Sequence, residues 1–203
     1  MLAILLSAGK GRRIGTPKAF LDLGGRSAWK RCVETLAESG LERIRIVVSP
    51  SGARRLAEEA AADPAGTVPV EIVVNPTPEL GQTSSLKCAL DGVREDFLLH
   101  TVDHPLVSSA DIRRLMEAWK ARRPGTAIVV PSVDGRRGHP ALHAAALAPE
   151  FLALADEAPA HTVIRSDAGR VEHVLLEDPW IVRDIDEPTD LQAAAEELAR
   201  RET

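Results

Sequence analysis

Cysteine is scarce in this chain. Two cysteines, Cys32 and Cys88, stand among 203 residues and form no C-x-x-C pair. That excludes a disulfide framework or a zinc ribbon and fits a reducing cytoplasm. Long hydrophobic runs are missing too. The opening "MLAILL" is too short to span a bilayer and has no basic residues before it, so it reads as a buried strand rather than an anchor or signal peptide. Nor is there an excess of basic charge. With 25 Lys and Arg against 30 Asp and Glu, the net charge is −5. A general nucleic-acid binder, which draws its affinity from clustered Lys and Arg, is therefore not expected. No internal repeat, low-complexity tract or linker interrupts the chain, and residues 1–203 are read as one domain able to bury its own core. "DPAGTVP" and "RRPGT" read as turns between elements.

What is present is an ordinary globular composition, 44% hydrophobic and 27% charged, arranged in alternation. Apolar or β-branched runs at Leu2–Leu6, Arg43–Val48, Val70–Val74, Phe97–Thr101, Ala127–Pro131 and Val171–Leu176 predict strands. Between them lie helical stretches. Ser27 is placed to cap a helix through Ser39 that stops at Gly40, and Ser51 to cap one through Ala62. "TSSLKCALDGV" and "SADIRRLMEAWKAR" keep the 3.6-residue period, and Pro188 suits the first position of a terminal helix. Such alternation predicts an α/β fold with a mostly parallel sheet covered on both faces. Active sites of these folds gather where the strands end, which directs attention to residues 7–18, 49–52, 75–85, 102–108, 132–140 and 177–187.

The first of these segments contains "GKGRRIG", one residue longer than the dinucleotide-binding fingerprint. That fingerprint also needs a helix opening inside the loop, yet Pro17 biases Thr16 away from helix, and "VVSPSG" offers no acid for a ribose. A P-loop fails as well, because no Gly-Lys-Ser/Thr ends the glycine run. There remains an extended glycine loop whose amides can face a triphosphate, with Lys10, Arg12, Arg13 and Lys18 around it and no acid between residues 1 and 21.

"LLSAGKGRRIGTPKAFLDLGG" resembles the L-x-A-G-x-G-x-R-[MI]-G-x-x-K signature of the MobA-like nucleotidyltransferases, nearest their molybdenum cofactor cytidylyltransferase branch. The resemblance continues in order through "NPTPELGQTSSLKCAL", "TVDHPLV", "GRRGHPALH" and "DIDEPTDL". It implies a Rossmann-like three-layer αβα fold with a mostly parallel mixed sheet. It also implies transfer of a nucleoside monophosphate from an NTP with Mg²⁺.

The residue types suit that chemistry. Attack on an α-phosphorus needs positioning and charge neutralisation more than covalent help. Ser7, Ala8, Gly9, Lys10, Gly11 and Arg12 are expected to hold the triphosphate, and Lys18 to neutralise charge near the α-phosphate. A hard divalent cation wants carboxylate oxygens. Asp103 supplies one, and the resemblance favours Asp186 for the second, with Asp184 an alternative that would face the same side of an extended segment. "NPTPELGQTSSL" offers Asn75, Gln82, Ser84 and Ser85, neutral groups suited to base and ribose, of which the resemblance favours Asn75 and Ser84.

"HTVDH" and "HPALH" share an H-x-x-x-H spacing, but neither looks helical, and zinc is not expected. His104 departs from the Met or Gln common between Asp and Pro in the family, and is assigned with Arg137 and His139 to the acceptor phosphate. A phosphomonoester is already anionic near neutral pH, so no general base is required, and no Ser-His-Asp or Cys-His set is evident. The sequence thus predicts a Mg²⁺-dependent nucleotidyltransferase using an NTP, CTP favoured, and a phosphorylated small-molecule acceptor such as molybdopterin. A molybdoenzyme or maturation factor is its expected partner, with no role for nucleic acid or membrane. A sugar-phosphate acceptor, an NAD(P)-dependent oxidoreductase and a non-catalytic nucleotide-binding regulator are the alternatives.

Overall fold

Leu2, Ile4 and Leu6 of the first strand, β1 (Leu2–Leu6), are buried in one apolar core, while Ala3 and Leu5 are buried in another. Alternation of side chains across a strand gives both faces of a sheet something to cover, so the fold must have layers on each side. The structure, a computed structural model, describes residues 1–63 and 68–201. "DPAGTVP" falls largely in 64–67, outside the described residues.

After β1 come a short hairpin, β2 (Asp22–Leu23) and β3 (Arg26–Ser27), then α1 (Ala28–Glu38), β4 (Ile44–Val48), α2 (Pro50–Ala62) and β5 (Val70–Val74). There follow α3 (Gln82–Leu90), β6 (Phe97–Thr101), α4 (Ser109–Ala121), β7 (Ile128–Val133), β8 (Arg136–Arg137) and β9 (Ala141–His143). The chain closes with α5 (Ala148–Leu152), α6 (His161–Arg165), β10 (Val171–Leu175) and α7 (Pro188–Arg201). The main sheet runs β10-β7-β9-β6-β1-β4-β5, with β8 on β7. Its ladders are parallel except those of β9, which runs antiparallel between β6 and β7, and of β8. The mostly parallel mixed sheet with flanking helices is the expected architecture.

All six expected strands are present, with ends moved by a residue or two at Ile44, Ile128, Val133 and Leu175. The expected cap of α2 is corrected. Ser49, not Ser51, precedes the helix, and its Oγ accepts the Gly52 amide at 3.1 Å, leaving Pro50 at the first helical position where it forfeits no hydrogen bond. Ser27 does precede α1, although its hydroxyl makes no capping bond there. Gly40 ends the turn after α1 at φ +90°, a conformation that suits glycine. "RRPGT" is a turn closed by the Thr126 amide on Arg123 O at 3.0 Å. No described helix is long and apolar enough to cross a membrane.

Candidate active site

The parallel strands β1, β4 and β6 end on one side of the sheet, and the loops that leave them meet there. The loop from β1 is shaped by Gly11. At φ +56° its carbonyl accepts the amides of Ile14 and Gly15 at 3.1 and 2.9 Å, and a Cβ at this position would lie 1.9 Å from Thr16 O. Only glycine fits so tight a closure. Lys10 and Arg12 are exposed, and Ser7 is buried with its Oγ unpaired. No α-helix opens in this loop. The chain makes a single 3₁₀ turn at Lys18–Phe20 and enters β2, so the helix N-terminus that a dinucleotide pyrophosphate needs is not supplied here. The oxidoreductase alternative is set aside on that ground.

Lys18 is turned toward two acids. Its Nζ lies 3.2 Å from Asp103 Oδ2 and hydrogen-bonds Asp186 Oδ1, while Arg13 reaches Asp186 Oδ2 at 3.2 Å. Asp103 sits in the turn after β6. The Ile185 amide donates to the Asp103 carbonyl at 2.9 Å, and Ile185 is itself fully buried, so "DID" is nailed against that turn by its middle residue. Asp184 and Asp186 flank the nail. Carboxylate oxygens of Asp103, Asp184 and Asp186 all come within 4.8 Å of one another. Asp190, not Asp186, serves the start of α7 by accepting the amides of Asp186 and Glu187 at 3.1 and 2.8 Å. This leaves the Asp186 carboxylate for the cluster.

Electrostatics keep the cluster charged. Burial works against an ionised Asp103, but the hydrogen bond and charge of His104 and the charge of Lys18 hold its carboxyl well below the usual range. Burial likewise opposes the Lys18 ammonium, yet attraction to Asp103 and hydrogen bonds to Asp186 and Asp103 raise it overall. Three hard oxygen donors in one cluster, two already bridged by a cation, are a donor set suited to Mg²⁺ or Mn²⁺.

A cleft of about 360 Å³ lies over these groups, lined by Ala8, Gly9, Lys18 and Asp103 from the expected set and by Gly81, Gln82 and Ser85 from the turn into α3. Asn75 and Ser84 lie behind that turn. Asn75 is fully buried, and its amide nitrogen donates to Ser84 and Ser85 Oγ, each at 2.9 Å, while its Oδ1 accepts the Thr77 amide at 2.9 Å. Ser84 Oγ turns to Gly81 O at 2.8 Å. The helical spacing that takes Ser84 inward puts Gln82 and Ser85 on the cleft face.

The acceptor-side residues divide. Arg137 and His139 line a second cavity of about 300 Å³ that shares Leu6 and Gln82 with the first. His104 instead lies with its Nδ1 3.1 Å from Asp103 Oδ1 and 3.0 Å from Thr101 Oγ1, and its ring is 4.9 Å from that of His139. Gly138 makes this packing possible, since a Cβ there would stand 2.0 Å from Ile181 O. His161 and Arg165 of α6 also line the second cavity. Neither was marked by the sequence pattern, because α6 is five residues long and too short to show a period.

Residues 3–173 match the MobA-like NTP transferase domain. The chain belongs to that family. It is 30% identical over 139 residues to a 2-C-methyl-D-erythritol 4-phosphate cytidylyltransferase of Rhodococcus jostii, covering 66% of this chain and 58% of that protein. It is 32% identical over 106 residues to a bifunctional IPC transferase and DIPP synthase of Thermococcus kodakarensis, covering 50% of this chain and 23% of the relative. The chain thus spans less than two thirds of the length of these relatives.

Among solved structures, a nucleotidyl transferase from Methanothermobacter superposes with a TM-score of 0.80 at 20% identity, covering 98% of each chain. Molybdopterin-guanine dinucleotide biosynthesis protein A of Archaeoglobus fulgidus gives 0.73 at 20% identity, over 98% of this chain and 100% of that one. Rv0371c of Mycobacterium tuberculosis, solved as a manganese complex, gives 0.72 at 20% identity over 96% and 97%. At these identities the structural likeness establishes the shared fold.

Proposed function

We propose that this chain is an enzyme that transfers a nucleoside monophosphate from an NTP to a phosphorylated small-molecule acceptor, releasing pyrophosphate, with Mg²⁺ as its working cation. The observation that carries the reading is the Lys18–Asp103–Asp186 cluster, of which Lys18 and Asp103 line one cleft together with Ala8 and Gly9 of the glycine loop. Backbone amides of Ala8 to Arg13 are suited to the β- and γ-phosphates, with Lys10 and Arg12 adding charge from the exposed side. Lys18 neutralises charge that builds near the α-phosphate as pyrophosphate leaves. Asp103 and Asp186, with Asp184 beside them, would hold the divalent cation, which supplies Lewis-acid charge to the phosphates when bound. His104 braces Asp103 from behind. Gln82 and Ser85 are placed to address the nucleoside, and Asn75 and Ser84 fix the turn that presents them. Arg137 and His139 hold the acceptor phosphate, whose own charge makes a general base unnecessary.

CTP as donor is supported by the resemblance to the cofactor cytidylyltransferase branch and by the Rhodococcus cytidylyltransferase, and molybdopterin as acceptor by that resemblance and by the likeness to the Archaeoglobus protein. A cytoplasmic site of action, with a molybdoenzyme or maturation factor receiving the product, goes with that reading. The two free cysteines agree with a reducing compartment. A sugar- or polyol-phosphate acceptor is the second reading, favoured by the Rhodococcus relative. The test is pyrophosphate release from each of the four NTPs with Mg²⁺, offered molybdopterin or 2-C-methyl-D-erythritol 4-phosphate in parallel. Release that requires molybdopterin and is fastest with CTP supports the first reading. Release with neither acceptor, despite NTP binding, leaves a nucleotide-binding regulator.

A further inference from the structure

The fixed charges that line the second cavity are two guanidinium groups, those of Arg137 and Arg165. Arg137, His139, His143, His161, Arg165 and Gln82 supply its polar side chains, and among the described residues no Asp or Glu lines it, in a chain that carries an excess of acid. Among the described residues neither Arg137 nor Arg165 pairs with a carboxylate; Arg137 only approaches His173 Nε2 at 3.4 Å. His139 Nδ1 is buried without a hydrogen-bond partner. Burial and the neighbouring His104 push His139 down to about 4, and burial and His139 push His143 down to about 3, so both imidazoles are neutral near pH 7. Phe151 and Ile164 contribute to the apolar remainder.

These groups divide by their distance from the transfer chemistry. The reacting phosphate has to reach the cleft that Lys18 lines. His139 lies on that side, its ring 4.9 Å from His104, which itself touches Asp103. His161 and Arg165 line the second cavity alone and share one face of α6 at i and i+4. The segment before α6 is tied to α3, the helix that carries Gln82. Lys87 Nζ lies 2.7 Å from Asp156 Oδ1, and Thr83 Oγ1 donates to Ala158 O. Arg165 and His161 are therefore held in place beside the cavity but away from the reacting end. Neutral hydroxyls would call for carboxylates and amides as partners, and Gln82 is the one such side chain in the lining.

We infer that the acceptor bears, besides its reacting phosphomonoester, a second anionic group, and that Arg165 and His161 select that group. This rests on the transfer reading and narrows its acceptor class against plain polyol phosphates.

The experiment measures binding of 2-phosphoglycolate and of glycerol 3-phosphate by calorimetry to the wild type, Arg165→Gln and His161→Gln, with CTP–Mn²⁺ binding measured on the same preparations. The wild type is expected to hold 2-phosphoglycolate at least about tenfold more tightly, the worth of one charge-assisted contact. Arg165→Gln closes that gap and His161→Gln narrows it, while glycerol 3-phosphate and CTP–Mn²⁺ affinities stay unchanged. Equal affinities in the wild type, a preference for glycerol 3-phosphate, binding of neither probe, or a gap that survives Arg165→Gln overturns the inference. A wild type that fails to bind CTP–Mn²⁺ overturns the transfer reading instead, and the two failures are read from separate titrations.

Discussion

The ammonium of Lys18 stands 3.2 Å from Asp103 Oδ2 and hydrogen-bonds Asp186 Oδ1, so one cation bridges two carboxylates brought together from distant parts of the chain. A divalent ion held by the same acids must share or displace that bridge. Lys18→Met removes the competitor and leaves the acids facing one another with Arg13 on Asp186. It is expected to bind Mn²⁺ more tightly than the wild type by electron paramagnetic resonance, while kcat falls about 10- to 100-fold, the loss of one charge-assisted bond in the transition state. Weaker Mn²⁺ binding, or a rise confined to the NTP KM, would remove the transition-state role from Lys18.

Asp103→Asn keeps the hydrogen-bonding shape of the turn and deletes the charge. The variant should fold, since the Ile185 amide bonds the Asp103 backbone carbonyl rather than the side chain. Mn²⁺ affinity and turnover should both collapse, because a neutral amide is a far poorer ligand for a hard cation than a carboxylate. Turnover like the wild type at limiting metal would take Asp103 out of the site.

Asn75 tests whether the turn into α3 is held or merely near the nucleoside. Three of its side-chain hydrogen bonds are 2.9 Å long, and the residue is fully buried. Asn75→Ala should cost about 2–4 kcal/mol of stability and raise the NTP KM as Gln82 and Ser85 lose their footing. Denaturant unfolding beside steady-state kinetics measures both. A raised KM with unchanged stability would mark Asn75 as a direct contact.

The contrast between Asn75 and Gln82 shows where the sequence stopped informing. Neutral polar residues in "NPTPELGQTSSL" mark the segment as a candidate for meeting a nucleoside, but which of them faces outward is set by where α3 starts and by its packing on β1 and β4. The strands β1 and β6 were legible as continuous apolar runs, as buried parallel strands are, and β4 and the half-exposed β5 by their β-branched residues. β9 was not. Three residues carry no period, and its antiparallel place between β6 and β7 is fixed by ladders to residues far away in the chain. Asp103 was legible as a carboxylate just past a strand, and Asp186 through the family resemblance. The tie from Ile185 to Asp103 that makes Asp184 and Asp186 one cluster with Asp103 is tertiary and could not be read from spacing.

Arg137 is assigned to the acceptor phosphate. Arg137→Ala should lower kcat/KM for the acceptor by about 1.5–3 kcal/mol and leave the NTP constant nearly untouched, with Arg137→Lys recovering part of the loss because an ammonium lacks the planar fork. Varying each substrate in turn decides it. A change confined to the NTP constant would move "GRRGHP" to the donor side.

Acid should destabilise this protein through its interior imidazoles. His143 stacks on Phe97 at 5.0 Å and meets Phe151 edge-on at 5.4 Å, and its burial, with His139 nearby, lowers it to about 3. The unfolded chain therefore binds a proton that the folded chain refuses, and stability falls as pH drops below about 6.5 and continues to fall toward 3. His143→Phe removes that proton from the balance and should flatten the decline of Tm between pH 6.5 and 4. An unchanged slope would show that His143 is protonated in the folded state.

The most direct test of the central claim is a crystal structure of the protein soaked with CTP and Mn²⁺. The account predicts the triphosphate on the amides of the loop after β1, Lys18 moved to the α-phosphate, and the metal coordinated by Asp103 and Asp186. A triphosphate bound away from that loop, or a metal bound without either carboxylate, would contradict it.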